Sequence, residues 1–504
     1  MTEEQRNQTE APNNQGISRR SFLIGAAGIG ALAALPFSGL MGCAPQTKDG
    51  NTTEDGGSFD VIIVGSGRAG MTAALSLHEA GASVKLLEKM SVVGGNTNFA
   101  EGGMNASETG LQKAEGVEDS NELFAEDTFI GGKELGDRDL IDYMCSHSNE
   151  AVERLAERGM ILNKISTSGG ASVPRIHRPE DGSAVGAYLV QKMSALCTEK
   201  DIAAQTMVEV KSLIMEDDKV AGVIAYDEKK RQTVEFKAPV VIIASGGFGA
   251  NHEMLAEYRP ELLEAVTTNQ PGAQGDGIIF ATEIGADTVD LEHIQVHPTV
   301  EQSTSILLSE GIRGDGAILI NAEGNRFTDE LLTRDKVTEA EWAQPGGWAY
   351  AVFDHHVYED NKSIEEKFEK QDLLITGDTL EDLCASLENI DQDNFMSAIT
   401  AYNEAIEQDV DDPFGRTNSR FPLVSAPFHA IKVAPGIHHT MGGLRINVDT
   451  EVLDTSGNAI PGLFAAGEVT GGVHGGNRLG GNAVCDINVF GHRAAESALE
   501  YLGK

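Results

Sequence analysis

Side chains that can bind an anion recur in five short segments of the second half of the chain. An arginine such as Arg478 can hold a carboxylate through two parallel hydrogen bonds. Because the chain carries 38 basic and 78 acidic side chains, a net charge of −40, a pocket that binds an anion must concentrate Arg313, Arg334 and Arg478 with nearby histidines. A single histidine or a single Arg-Asp pair is usually an ordinary structural feature, so the joint occurrence of the segments is what indicates a site. The segments are Gln295-Val-His297-Pro-Thr, Ser309-Glu310-Gly-Ile-Arg313-Gly-Asp-Gly, Thr333-Arg334-Asp335-Lys336, His438-His439-Thr-Met-Gly-Gly and Gly471-Gly-Val-His-Gly-Gly-Asn-Arg478-Leu-Gly-Gly-Asn482-Ala.

A strand, a glycine-rich turn and a helix begin at Phe59. The apolar run that starts there leads into Gly65-Ser-Gly67-Arg-Ala-Gly70, a helical stretch to Glu79 and a second strand that ends at Glu88. In such a unit the glycines let the backbone approach a pyrophosphate, the helix N-terminus attracts the anion, and an acid about 20 residues on accepts from the ribose hydroxyls. The pattern therefore predicts dinucleotide binding.

Later glycine-rich segments favour FAD over NAD. Gly94-Gly95-Asn96-Thr97 and Glu101-Gly102-Gly103-Met104-Asn105 supply small, flexible backbone where a flat ring system must lie close to the chain. Residues 240–244 and 461–466 are each a buried strand that runs into a glycine turn, which predicts that distant segments return to the same sheet. A helical run from about 482 to 502 would aim its N-terminus at the flavin.

Composition limits the class of protein and its partners. A length of 504 residues with 40% apolar content allows two or three domains with substantial cores. The net charge argues against nucleic acid and anionic lipid surfaces as partners. It is explained by a solvated acidic coat, or else by a surface that attracts a basic electron-transfer partner.

The cysteines indicate that electrons are carried on the flavin alone. The five cysteines show no metal-ligand spacing, and the chain has no Cys-x-x-Cys-His motif for a c-type haem. Neither a metal nor an iron–sulfur site is expected. A separate protein, a cytochrome or another flavoprotein, must therefore supply the electrons.

The first residues have the pattern of an export signal. Ser18-Arg19-Arg20-Ser21-Phe22-Leu23 is a twin-arginine motif followed by an apolar run, and Leu40-Met41-Gly42-Cys43 looks like a bacterial lipobox. We expect residues 1–43 to be a twin-arginine signal with a lipobox, with Cys43 as a possible lipid anchor and the only membrane attachment; a plain signal without lipidation is the alternative. Residues 44–58 read as a linker. The expected location is the cell envelope, periplasmic or on the outer surface.

From Phe59 to the C-terminus the chain resembles the soluble fumarate reductase flavoproteins, the flavin part of flavocytochrome c, within the wider succinate dehydrogenase and fumarate reductase flavoprotein superfamily. The five segments given above are the most specific part of this resemblance. It implies an α/β fold with a Rossmann-like FAD-binding domain of the glutathione-reductase type and an inserted α+β capping domain. We expect the FAD-binding domain at 59–291 and 438–504, and the capping domain at 292–437.

The resemblance also implies roles for individual residues in reducing a double bond conjugated to a carboxylate. Such a reaction needs a carboxylate anchor, a hydride donor and a proton donor. Arg334 would give the proton, although a free arginine, with a pKa above 12, is a poor acid; its charge would also stabilise the transition state. The catalytic residues would be Arg334, Glu310 and Arg313, and the substrate-binding residues His297, Ser309, Glu310, His438, Arg478 and Gly481. The cofactor-binding residues would be Gly65, Gly67, Ala69, Gly70, Glu88, Asn96, Thr97, Gly102, Gly103, Val210, Asp276, His439, Glu468, Ala483 and Val484.

Departures from the family pattern leave the substrate open. Some relatives attach FAD covalently through a histidine where this chain has Asn96-Thr97, so we expect non-covalent FAD. The family's threonine is Ser309 here, and the side chains that bracket the substrate are Ser168 and Leu307. Fumarate is the expected substrate, with another enoate such as acrylate, methacrylate or urocanate as the alternative. A surface flavoprotein that only carries electrons is the alternative of a different class.

Overall fold

The computed structural model describes residues 53–167, 169–416 and 421–504. The predicted export signal, the lipobox with Cys43, the first part of the linker and Ser168 lie outside the described residues. The strands are, in chain order, β1 (Glu54–Ser58), β2 (Val61–Val64), β3 (Val84–Glu88), β4 (Met104–Asn105), β5 (Lys164–Ser166), β6 (Ile176–Arg178), β7 (Gln205–Thr206), β8 (Val208–Glu216), β9 (Lys219–Asp227), β10 (Gln232–Lys237), β11 (Val240–Ile243), β12 (Thr288–Val289), β13 (Ile294–Val300), β14 (Ile318–Asn321), β15 (Ala349–Asp354), β16 (Ile375–Gly377), β17 (Phe428–Thr440), β18 (Gly443–Leu444), β19 (Glu451–Leu453) and β20 (Ala459–Ala465).

Helices connect most of these strands. The α-helices are α1 (Arg68–Glu79), α2 (Gly110–Ala114), α3 (Asn121–Gly131), α4 (Arg138–Ser146), α5 (Ser148–Glu157), α6 (Val185–Glu199), α7 (His252–Tyr258), α8 (Asp276–Thr282), α9 (Glu310–Gly314), α10 (Arg334–Trp342), α11 (His355–Asp360), α12 (Lys362–Lys367), α13 (Leu380–Ser386), α14 (Gln392–Glu407) and α15 (Asn482–Leu502). Short 3₁₀ helices span Gly95–Phe99, Pro260–Leu262, Pro345–Gly347 and Glu369–Gln371. Among the described helices, none combines the length and the apolar character needed to cross a bilayer.

A mainly parallel sheet is assembled from distant parts of the chain. Its strand order is β19-β20-β11-β2-β3-β7, in which β20 through β7 are parallel and β19 is an antiparallel edge. β2 and β11 contain only buried valine and isoleucine, as expected for strands that are covered on both faces. The predicted α/β fold is confirmed, as are the return of the two distant segments to this sheet and the closing helix, α15.

A second sheet, in the order β1-β10-β9-β8, corrects the predicted linker. Residues 54–58, which the sequence assigned to the linker, form β1 and pair in parallel with β10. A Cβ atom at Gly56 would lie 2.5 Å from the Phe236 ring, so only glycine allows the strand to lie against that ring. Tertiary pairing therefore overrides the turn-rich local sequence.

The capping segment has a sheet of its own, in the antiparallel order β13-β17-β15-β14 with β16 paired to β17. Alternate residues of β14 and β15 pack into two hydrophobic clusters: Leu319, Ala349, Ala351 and Phe353 into one, and Ile318, Ile320, Tyr350 and Val352 into the other. Strand β17 runs without interruption across the predicted domain boundary at residue 438. His438 and His439 therefore lie on a strand of the capping sheet.

Candidate active site

An open cleft with about 1680 Å³ of empty space lies at the carboxyl ends of β2, β3, β11 and β20, the edge where parallel α/β sheets usually bind ligands. Most of the predicted cofactor residues line it: Gly65, Gly67, Ala69, Glu88, Asn96, Thr97, Gly102, Gly103, Val210, Asp276, His439, Glu468, Ala483 and Val484. Gly70 does not line the cleft. A Cβ atom at Gly70 would lie 2.0 Å from the carbonyl oxygen of Gly65, so its role is to let α1 pack close to the turn.

The turn after β2 fits a pyrophosphate. Gly65 has a φ of 105°, and a Cβ atom there would lie 2.3 Å from the carbonyl oxygen of Ala244. Gly67 precedes α1, whose N-terminus has no side-chain cap. The Arg68 N–H donates to the Thr97 hydroxyl at 3.2 Å, which leaves the N–H groups of Ala69 and Gly70 available to an anion.

Glu88 and Asn96 line the cleft and are held there by hydrogen bonds. The Glu88 carboxylate accepts hydrogen bonds from the backbone N–H and the hydroxyl of Ser66, at 3.0 and 2.7 Å. The Asn96 amide donates to Glu468 at 3.1 Å, and its oxygen accepts from the backbone N–H of Gln270 at 2.9 Å. These contacts fix the cleft wall, and the lining residues fit FAD.

A buried carboxylate lies between two guanidinium groups. Glu310 precedes Arg313 on α9, and Arg334 is the first residue of α10. The Arg334 Nη2 and Nε atoms lie 3.0 and 3.3 Å from Glu310 Oε2, and Arg313 Nη2 lies 3.5 Å from Glu310 Oε1. Burial raises the pKa of Glu310, but Arg334 and Arg313 outweigh it, so the net pKa is below its usual value. The carboxylate is therefore ionised, and it contacts both of the arginines that the predicted proton path requires.

Gln295 joins two of the arginines, and sequence reasoning missed its role. Its amide oxygen accepts from Arg334 Nη1 at 2.9 Å and from Arg478 Nη2 at 3.3 Å. Its amide nitrogen donates to the Arg478 carbonyl at 2.7 Å. The only available signal was its place in the His297 segment. Burial and then the Arg334 charge lower the pKa of Arg478 to about 9, so it stays protonated at neutral pH.

The neighbouring histidines are neutral. The His297 and His438 rings lie 5.5 Å apart between centroids, edge to face. Burial, followed by the Arg334 charge, lowers the pKa of both well below the usual range. Burial and then Arg478 do the same to His439, which lies 3.3 Å from Glu468. These rings therefore act as hydrogen-bonding groups rather than as charges.

The structure brings all of the predicted substrate residues except His297 to the cleft. Ser309, Glu310, Arg334, His438, Arg478 and Gly481 line it, whereas His297 and Arg313 are fully enclosed and do not. The Ser309 hydroxyl accepts from the Gly311 N–H at 3.3 Å. Gly481 has a φ of 86° and precedes α15, and a Cβ atom there would lie 2.4 Å from the Asn105 side chain.

The cluster carries a net positive charge. Three guanidiniums, those of Arg313, Arg334 and Arg478, surround one ionised carboxylate, which leaves two positive charges in a buried place. Glu341 does not offset them, because burial raises its pKa well above the usual value despite the Arg313 charge. The sheet, the glycine turn and this cleft define an FAD-binding flavoprotein with a site for an anion.

Comparisons with known proteins agree with an FAD-binding flavoprotein. Residues 60–484 match the FAD binding domain family. Over 446 residues the chain is 47% identical to the NADH:fumarate oxidoreductase of Klebsiella pneumoniae (strain 342), covering 88% of this chain and 48% of that protein. Over 452 residues it is 42% identical to the fumarate reductase (cytochrome) of Shewanella frigidimarina, covering 89% and 78%. The solved open conformation of a flavocytochrome c3 fumarate reductase matches with a TM-score of 0.74 and 40% identity, covering 89% of this chain and 79% of that one.

The chain therefore belongs to the FAD binding domain family and, within it, to the FAD-dependent oxidoreductases of the fumarate reductase flavoprotein type. The resemblance seen in the sequence motifs is confirmed. The chain spans about half the length of the Klebsiella relative.

Proposed function

We propose that this chain reduces fumarate to succinate, with FAD as its resident cofactor. The observation that carries the proposal is the buried arginine cluster around Glu310. Its guanidinium groups outnumber its ionised carboxylate, so the cluster attracts anions, and a dicarboxylate can pair with more of these cations than a monocarboxylate can. Relatives named as fumarate reductases support the same substrate.

In the proposed reaction a hydride joins one carbon of the double bond and a proton joins the other. The double bond becomes a single bond, and the substrate gains two electrons. FAD, when bound and reduced, supplies the hydride. Gln295 holds Arg334 and Arg478 in a fixed relation, so that one arginine can anchor a carboxylate while the other addresses the double bond.

In this proposal Arg334 donates the proton to the substrate, and a new proton reaches Arg334 through Glu310. The ionised Glu310 carboxylate is hydrogen-bonded to Arg334 and contacts Arg313, so after Arg334 loses its proton, Arg313 passes one to the Glu310 carboxylate, which passes it on to Arg334. Arg334, Glu310 and Arg313 are 7%, 8% and 1% exposed. Because water is largely excluded, the Arg334 charge acts strongly on negative charge that develops on the substrate carbon.

Asn96 and Thr97 support non-covalent FAD, because neither side chain offers the imidazole through which some relatives attach it. FAD should therefore separate from the polypeptide when the holoprotein is denatured in acid. Flavin that remains in the protein pellet would contradict this mode of binding.

We propose further that the chain is exported and that a separate protein supplies its electrons. The twin-arginine motif and the lipobox support delivery to the cell envelope, with Cys43 as a lipid anchor. The absence of haem and iron–sulfur motifs from the sequence supports a separate electron donor. Replacing Arg19 and Arg20 by lysine should keep the full-length chain in the cytoplasm during fractionation, and unchanged export would contradict this route.

A substrate panel tests the activity. The holoprotein, with anaerobically reduced viologen as electron donor, should consume fumarate faster than acrylate, methacrylate or urocanate. If one of the other three is consumed faster than fumarate, that compound is the preferred substrate and the proposal for fumarate is wrong. Consumption of none of the four would favour the alternative of an electron carrier.

A further inference from the structure

Arg178, the last residue of β6, is an arginine in the cleft wall that sequence reasoning missed. It is 3% exposed and lines the cleft. Its Nε atom is enclosed without a partner, and no hydrogen bond or ion pair with another described residue holds its guanidinium. An unpaired buried cation is costly, so this side chain is an unusual feature for a purely structural role.

Arg178 lies beside two glycines, Gly103 and Gly311. A Cβ atom at Gly103 would lie 2.9 Å from Arg178 Cγ, and one at Gly311 would lie 3.4 Å from Arg178 Nη1. The Gly103 distance is shorter than a real Cβ contact, so the absence of a side chain there gives the arginine stem its space, whereas the Gly311 distance is an ordinary contact that places the guanidinium beside α9. The stem packs on the Gly103 segment, and the guanidinium reaches the start of α9.

Arg178 is also close to Ser309. The position that a Gly311 Cβ atom would take is 3.4 Å from Arg178 Nη1 and 3.6 Å from Ser309 Oγ, so these two atoms are at most 7.0 Å apart. A carboxylate that accepts one hydrogen bond on each oxygen can join donors separated by roughly 7 Å or less. Both groups can therefore hold the same carboxylate.

The charges around Arg178 leave it available to an anion. Glu101 also lines the cleft, but Lys367 of α12 is hydrogen-bonded to its carboxylate. Burial raises the pKa of Glu101, while Lys367 and, more weakly, Arg178 lower it. Two cations therefore share one carboxylate, and only Lys367 makes a hydrogen bond to it.

We propose that Arg178 is a binding residue for the second carboxylate of the substrate, which it holds together with the Ser309 hydroxyl. This inference rests on the proposed function and narrows it, because it makes Arg178 a determinant of dicarboxylate over monocarboxylate substrates. Arg478, which Gln295 joins to the proton donor Arg334, would bind the carboxylate at the other end.

The test compares ligands with one and two carboxylates. In the Arg178→Met holoprotein, kcat/KM for fumarate should fall by roughly 10- to 100-fold, the effect of losing a hydrogen bond to a charged group, while kcat/KM for acrylate should change less than threefold. Arg178→Lys should keep part of the preference because it retains the charge. Arg138→Met, which removes an exposed arginine paired with Glu126, is the matched control and should change neither value.

Binding without turnover separates this inference from the proposed function. Succinate and propionate are titrated into the oxidised holoprotein, and the flavin absorbance reports binding. Arg178→Met should lower the affinity for succinate by the same 10- to 100-fold and leave the affinity for propionate unchanged. This result is expected even if the wild-type protein fails to reduce fumarate. An equal loss for both ligands, or no loss for succinate at full FAD content, would overturn the assignment.

Discussion

Replacing Arg334 by glutamine should remove nearly all fumarate reduction. The substitution takes away a charge and the hydrogen bonds to Glu310, at 3.0 and 3.3 Å, and to Gln295, at 2.9 Å. Loss of a proton donor typically costs 10²–10⁴-fold and loss of an electrostatic contact 10²–10³-fold. Because one side chain supplies both effects, we expect a decrease in kcat of about 10⁴-fold, or about 5 kcal/mol in the activation free energy.

The same substitution disturbs the fold, and the experiment must account for this. Glu310 would keep only its 3.5 Å contact with Arg313, and removing one partner of a buried ion pair costs roughly 3–5 kcal/mol. The double variant with Glu310→Gln should recover much of that stability without recovering activity. Lys336→Gln, at an exposed position on the same helix, is the matched control and should keep both.

The assay is oxidation of the pre-reduced holoprotein by fumarate, followed by flavin absorbance in a rapid-mixing instrument. FAD content and thermal unfolding are measured on the same samples. If Arg334→Gln is oxidised at a rate within tenfold of wild type, with normal FAD content, then Arg334 is not the proton donor and the proposed mechanism is wrong.

Two further buried carboxyl groups lead to measurable expectations. Burial raises the pKa of Glu341 well above its usual 4.5, so the folded protein keeps a proton that the unfolded chain releases. The resulting loss of stability is absent below pH 4.5 and grows as the pH rises toward the pKa of Glu341 in the folded protein. Glu341→Gln should therefore raise the thermal midpoint at pH 7 but not at pH 4, and a shift of equal size at both would contradict the sign. Lys367→Met leaves the Glu101 carboxylate buried without its ion partner and should lower the free energy of unfolding, measured by urea denaturation, by about 3 kcal/mol. Adding Glu101→Gln should restore most of that free energy. If it restores none, Lys367 contributes through packing instead.

The sequence predicted those parts of the fold that depend on neighbouring residues. The glycine spacing at Gly65, Gly67 and Gly70, the strand before it and the acid at Glu88 are local, and the strand, turn and helix form as expected, although Gly70 packs against the turn instead of lining the cleft. The strand at residues 54–58 was not predictable, because its composition is that of a turn. Only its pairing with β10 and the close approach of Gly56 to Phe236 make it a strand.

The candidate site was predicted as a set of residue types but not as an arrangement. Motifs identified Arg334, Glu310 and Arg478, and the structure brings them together. They could not show that Gln295 accepts from two of the arginines, since that depends on where β13 meets the start of α10 and the turn before α15. Arg178 gave no signal at all, because a lone arginine on a three-residue strand has no distinctive spacing.

The unpaired groups around the cleft reconcile an acidic protein with an anionic substrate. The Nε atoms of Arg178, Arg313 and Arg478 and the Nε2 atoms of His297 and His439 are enclosed without partners among the described residues. Each such group costs about 1–3 kcal/mol, a large share of a typical total stability of 5–15 kcal/mol, so hydrophobic burial elsewhere in the fold must offset the cost. Salt largely screens the acidic surface charges beyond the Debye length of about 8 Å at physiological ionic strength, whereas hydrogen bonds inside the cleft act well within that distance. The net charge of −40 therefore affects how fast an anion arrives, and the buried arginines decide how tightly it is held.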